Sequence, residues 1–93
     1  MTITHNPEQN RFETVVEGET AHVDYILHDD SIALTHTIVP DKIGRRGIAT
    51  ELVKYAFEYA KEHGLAVKPY CSFVVAFLNK HESYQEQLKL NRP

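Results

Sequence analysis

Residues 35–62 read THTIVPDKIGRRGIATELVKYAFEYAKE, and this stretch decides how the chain folds. Its first part, Thr35 to Val39, is rich in β-branched residues and predicts a buried strand. Pro40 ends the pairing because it has no N–H to give. The last part spaces Ile48, Leu52, Ala56 and Ala60 at four, and Val53 and Phe57 widen the stripe. That pattern predicts an amphipathic helix from about Arg46 to His63, with Glu51, Lys54, Glu58, Lys61 and Glu62 on its solvated side. Gly64 supplies a C′ stop. Between strand and helix lie Gly44, Arg45, Arg46 and Gly47. A strand, a glycine-containing turn and a helix start leave backbone N–H groups without partners and add the positive end of the helix dipole. Together they make an anion site. The same residues also fit a helix start that merely carries glycine and arginine.

Two familiar phosphate motifs are absent. A P-loop closes on Gly-Lys-Ser/Thr, and the dinucleotide fingerprint needs three glycines. What remains is Gly47-Ile48-Ala49, two small residues one apart in the first turn, where a diphosphate can come close to the backbone. This resembles the acyl-CoA pyrophosphate loop of the GNAT superfamily of N-acetyltransferases, Gln/Arg-x-x-Gly-x-Gly/Ala, laid over Gly44 to Ala49. Gly47 and Ala49 match. Gly44 stands where Gln or Arg is usual, and Arg45 and Arg46 follow it. The resemblance implies acetyl-CoA as co-substrate. Its pyrophosphate would be held by Gly44, Arg45, Arg46, Gly47, Ile48, Ala49 and Thr50.

The totals bound the rest. A chain of 93 residues has room for one domain, 1–93, with one modest core. Hydrophobic residues at 42% and charged residues at 25% are ordinary for a globular protein. No apolar run reaches membrane-spanning length, and the first residues are not a secretory signal. A net charge of −3 argues against nonspecific nucleic-acid binding. The single cysteine makes no internal disulfide, which fits a reducing cytoplasm.

In chain order, Ile3 to His5 predicts a short strand and Asn6-Pro7 a turn. Phe12 to Glu17 predicts a second strand, closed by Gly18-Glu19. Ala21, Val23, Tyr25 and Leu27 alternate with His22, Asp24, Ile26 and His28, a strand with one buried face. Ile32, Leu34, His36 and Ile38 share one face of the next strand; Ala33, Thr35, Thr37 and Val39 share the other. Leu65 to Pro69 is a strand parallel to it through a right-handed crossover. Helices follow over Ser72 to Lys80 and around Tyr84 to Leu88. The fold class is α+β: an antiparallel meander, then β-α-β-α. The GNAT resemblance implies that the two parallel strands splay apart. Longer GNAT enzymes have helices between the first two strands, which help form the acceptor site. Here Glu17-Gly18-Glu19 joins the strands directly, as in the short single-domain GNAT-like proteins.

Ligands of open α/β sheets bind beyond the carboxyl ends of parallel strands. By resemblance, the pantetheine arm pairs with the backbone of Thr37, Ile38 and Val39, which otherwise are plain buried strand. Cys71 sits just past the second strand end, where a helix start favours its thiolate. It either meets the thioester or is a small buried hydrophobe. His36 offers an imidazole, a group suited to taking an ammonium proton near neutrality, yet the apolar face it shares with Ile32, Leu34 and Ile38 also suits a hydrogen-bonded core histidine. GNAT proteins often carry Asn-x-x-Ala and then a proton-donating Tyr on the second helix. The overlay puts Ser72 at the Asn, Val75 at the Ala and Asn79 at the Tyr, so the resemblance implies that Ser72 and Asn79 bind the cofactor, the usual acid is missing, and Tyr70 and Tyr84 are the substitutes on offer. The histidines His5, His22, His28, His36, His63 and His81 show no zincin spacing, and no metal is expected. The expected activity is transfer of acetyl to a small-molecule or protein amine. The alternative is a non-catalytic module that binds CoA or a partner. No nucleic acid or membrane is expected, and the molecule is a monomer or a weak homodimer joined at a sheet edge.

Overall fold

The computed structural model describes residues 1–88. Its sheet has the order β1-β2-β3-β4-β5: Thr4–Asn6, Arg11–Val16, Glu19–Leu27, Ser31–Ile38 and Ala66–Pro69. β1 to β4 run antiparallel to their neighbours, and β5 runs parallel to β4. The long helix α1, Ile48–Glu62, crosses from β4 to β5, and α2, Ser72–Lys80, follows β5. A 3-10 segment at Glu82–Leu88 closes the described chain, slightly longer than the turn expected from Tyr84. This is the α+β architecture with the meander and β-α-β-α order that the sequence predicts.

The helical stripe is buried as its spacing requires. Ile48, Leu52, Val53, Ala56, Phe57 and Ala60 all lie in the core. They meet Phe12, Val23, Ile32, Leu34 and Val67 from the sheet and Val74 and Phe77 from α2. Phe57, Phe77 and Tyr84 pack together, with Phe57 5.6 Å from a tilted Phe77 and 5.4 Å from an edge-on Tyr84 between ring centroids. Gly64, at φ +65°, ends α1 as expected. Leu65 N–H reaches the Ala60 carbonyl at 2.8 Å and Gly64 N–H the Lys61 carbonyl at 3.3 Å, the two bonds of a Schellman stop.

Three features differ from the sequence reading. α1 begins at Ile48 rather than Arg46, because Arg45 and Gly47 take left-handed backbone, φ +62° and +76°, and hold Arg46 out of the helix. A 3-10 turn at Asp41–Ile43 precedes the loop and buries Ile43 completely. The third difference is in β4, where Thr35 is an extra residue: Asp24 pairs with His36, and the next residue, Tyr25, pairs with Leu34. The Thr35 hydroxyl donates to the Asp24 carbonyl at 3.3 Å and closes this β-bulge. The bulge inverts the strand's phase. Ile32 and Leu34 face the core, but His36 and Ile38 turn with Asp24 and His22 to the outer face and are exposed. His36 is therefore not a core histidine. Leu27, at the end of β3, is also exposed rather than buried.

Candidate functional site

β4 and β5 pair over Ser31↔Ala66 to Leu34↔Pro69 and then part. Tyr70 N–H donates to the Leu34 carbonyl at 3.1 Å, the last bond across the pair. Pro69 has no N–H to extend the ladder, and the bulge at Thr35 bends β4 away. Thr35 to Ile38 thus continue with β3 alone beside them, and the strands open a wedge at their carboxyl ends.

The loop after β4 sits at the mouth of this wedge. Among the described residues, no side chain caps α1, and its first bond runs from Glu51 N–H to the Gly47 carbonyl at 3.1 Å. The N–H groups of Ile48, Ala49 and Thr50 precede that bond and have no helical acceptor. They open onto a cleft of about 250 Å³. Gly44, Arg45, Gly47, Ile48, Ala49 and Thr50 line it, and Val39 closes the strand side. Ile43 and Phe73 complete the wall. A Cβ at Gly47 would meet no atom within 4 Å, so this residue leaves open space where a larger one would intrude. Space, bare amides and the Arg45 cation suit a diphosphate.

Arg46 points elsewhere. Its guanidinium donates to the Glu17 carboxylate in the β2–β3 turn, and it does not line the cleft. Ser72 and Asn79 are both exposed on α2 and stand outside the cleft wall. Seven residues apart, they lie roughly 10 Å from each other along the helix axis. Tyr84 packs on Phe57 and Phe77, while Tyr70 is 71% exposed.

Cys71 is the N-cap of α2, and its Sγ lies 3.3 Å from the Thr37 hydroxyl, across the wedge. Burial pushes the thiol up. The Thr37 hydroxyl and the backbone N–H groups of Val74 and Phe73 pull it down, and the balance lies below the ordinary thiol value. Thr37 pairs with the buried Val23 and His36 with the outward Asp24. The thiol and the imidazole therefore stand on opposite faces of the same opening. On the outer face His22 Nδ1 lies 2.7 Å from Asp24 Oδ1. Among the described residues, no three His, Cys, Asp or Glu side chains gather as metal ligands, and no helix is long and apolar enough to cross a membrane.

Sequence reasoning missed Ile43, Phe73 and Glu17. Phe73 could have been found from its place in the first turn of α2, two residues after Cys71. Nothing local connects Glu17 to Arg46, which is 29 positions away.

The sequence profile of the GCN5-related N-acetyl-transferase family matches residues 11–88. Among solved structures, that of a GCN5-like candidate N-acetyltransferase from Staphylococcus aureus, determined in solution, is similar. The two share 31% identity with a TM-score of 0.71, over 90% of this chain and 83% of that one. The chain belongs to the GCN5-related N-acetyltransferase family, whose members use acetyl-CoA.

Proposed function

We propose that this protein is an acetyl-CoA-dependent N-acetyltransferase whose chemistry takes place in the wedge between β4 and β5. One observation carries the reading: the uncapped start of α1 opens onto a cleft at the mouth of the wedge, and Cys71 stands across that wedge from Thr37. The backbone amides from Arg45 to Thr50 hold the pyrophosphate, and Arg45 adds its charge. Thr37, Ile38 and Val39 offer pantetheine the backbone groups that β5 leaves unpaired. When bound, acetyl-CoA supplies an activated acetyl group. Cys71 presents its sulfur to that group as a thiolate favoured by Thr37 and the start of α2. His36, on the outer face, takes the ammonium proton of the acceptor amine.

Titration with acetyl-CoA followed by amide signals tests the binding half. Gly47 and Ala49 should shift first; if both stay still at millimolar ligand, the cofactor assignment is lost. Turnover on a panel of amines, abolished by Cys71→Ala, tests the chemistry. Acetyl on Cys71 after incubation, seen by mass spectrometry, would place the sulfur on the path.

A second reading is a non-catalytic CoA-binding module. It is favoured by the missing acid: Asn79 stands where the family's tyrosine is usual, and Tyr84 is held edge-on against Phe57 and tilted against Phe77. Under that reading CoA binds, yet acetyl-CoA survives prolonged incubation with every amine offered.

A further inference from the structure

The loop that lines the cleft is sparsely held. Its backbone bonds are Ile43 N–H to Pro40 and Gly44 N–H to Asp41, and the next is already the first of α1. Arg45 and Gly47 both adopt left-handed backbone on either side of Arg46. An arginine there is uncommon and persists where something holds it. Among the described residues, residues 40–50 make one side-chain hydrogen bond, from Arg46 to Glu17. Glu17 has a defined backbone conformation. It sits in the two-residue turn between β2 and β3, with φ +51° beside Gly18 at +78°, the paired left-handed geometry of a type I′ hairpin. The hairpin turn thus holds the tip of a loop whose other anchors, the buried Ile43 and Ile48, lie on either side of it.

We infer that Glu17 and Arg46 form a positioning pair that holds the cofactor loop in its binding shape, and that Arg45 is the cation reaching the phosphates. This rests on the CoA reading above. Arg45 lines the cleft and Arg46 does not. Arg46 already has its charge met by a carboxylate, so moving it to a phosphate would leave Glu17 unpaired. The pair spares the ligand part of the work of ordering residues 45–49, which is how a contact outside a site raises affinity within it. Both side chains are about half exposed, 45% for Arg46 and 51% for Glu17, so the effect is modest and sensitive to salt.

The test is CoA affinity by calorimetry in Glu17→Gln, Arg46→Gln, the double variant and the charge swap Glu17→Arg with Arg46→Glu. Each single change should raise Kd about two- to fivefold. The double variant should be no worse than either single one, because the two residues act as one unit. The swap should recover affinity, and the penalty should fade at ~1 M salt. Amide exchange of residues 45–49 without ligand should quicken in both single variants and slow again in the swap. Wild-type affinity in Glu17→Gln with a loss of about tenfold or more in Arg46→Gln would overturn the pairing, since Arg46 would then touch phosphate itself. Tighter binding in Glu17→Gln would also overturn it. If the wild-type protein fails to bind CoA, the proposed function falls. The exchange rates alone then decide the tether, and unchanged rates in the single variants would refute it.

Discussion

The two flanks of the sheet solve the same problem differently. On the antiparallel flank, β2 and β3 pair from Arg11↔Asp24 to Val16↔Glu19 without a break, and rings pack between sheet and α1. Phe12 sits among His5, Tyr25, Tyr55 and Tyr59, with centroids 4.8 to 5.5 Å away. On the parallel flank, β4 and β5 pair as far as Leu34 and then separate, leaving backbone groups exposed beside a thiol. The first flank has no unpaired backbone to offer within its ladder, and the second leaves a free stretch of β4 beyond Leu34. Buried peptide groups need partners, and under the proposed function a ligand supplies them where the β4–β5 ladder stops.

The largest test of that contrast is Phe12→Ala. Phe12 is fully buried, and removing its ring should lower stability by about 3–5 kcal/mol by urea denaturation. The matching change on the split flank, Ile38→Thr, removes an apolar group that is already 46% exposed and should stay within about 0.5 kcal/mol. Similar losses in the two variants would erase the distinction. Next in size is Gly47→Ala. The new methyl meets open space but is forced to φ +76°, a strain of roughly 1–2 kcal/mol. Thermal midpoint should fall, and CoA affinity should drop about tenfold if the loop relaxes instead.

A smaller effect is expected from Thr37→Val, which removes the hydroxyl beside the sulfur. The Cys71 thiol should then titrate higher and alkylate more slowly near neutral pH, measured with iodoacetamide across a pH series. Unchanged titration would mean that the start of α2 alone sets the thiol. The mildest test concerns His5 on the antiparallel flank. Burial, then the nearby charge of His63, holds its pKa below the ordinary 6.5. The unfolded chain binds the proton more readily, so this stability is full above pH 6.5 and is lost as pH falls through the lower, folded value. His5→Phe keeps a ring and should flatten that part of the pH–stability curve, while the split flank's thiol titration stays as it was.

Much of this was legible beforehand, because it rests on local chemistry. The Ile48 to Ala60 stripe, the Gly64 stop, the Glu17-Gly18 hairpin and the Gly44 to Ala49 loop each announce themselves within a few residues. The wedge followed from the family likeness alone. What stayed hidden depends on partners far along the chain. The bulge at Thr35 is set by register against Asp24 and Tyr25, so alternation alone put His36 and Ile38 on the wrong side. The late start of α1 depends on left-handed backbone at Arg45, which no periodicity shows. The direction taken by Arg46 depends on Glu17, and the packing of Tyr84 on Phe57 depends on how α2 docks.

The extra residue at position 35 has one more consequence. It works as a phase inverter, exchanging inside for outside along residues 36–38 while leaving residues 31–34 untouched. A homologous chain without that insertion would carry the same letters with opposite exposures. Aligning such a relative with the gap misplaced by a single column would swap an outward-facing imidazole for a hydroxyl that touches sulfur, and residues would be matched to the wrong side of the molecule.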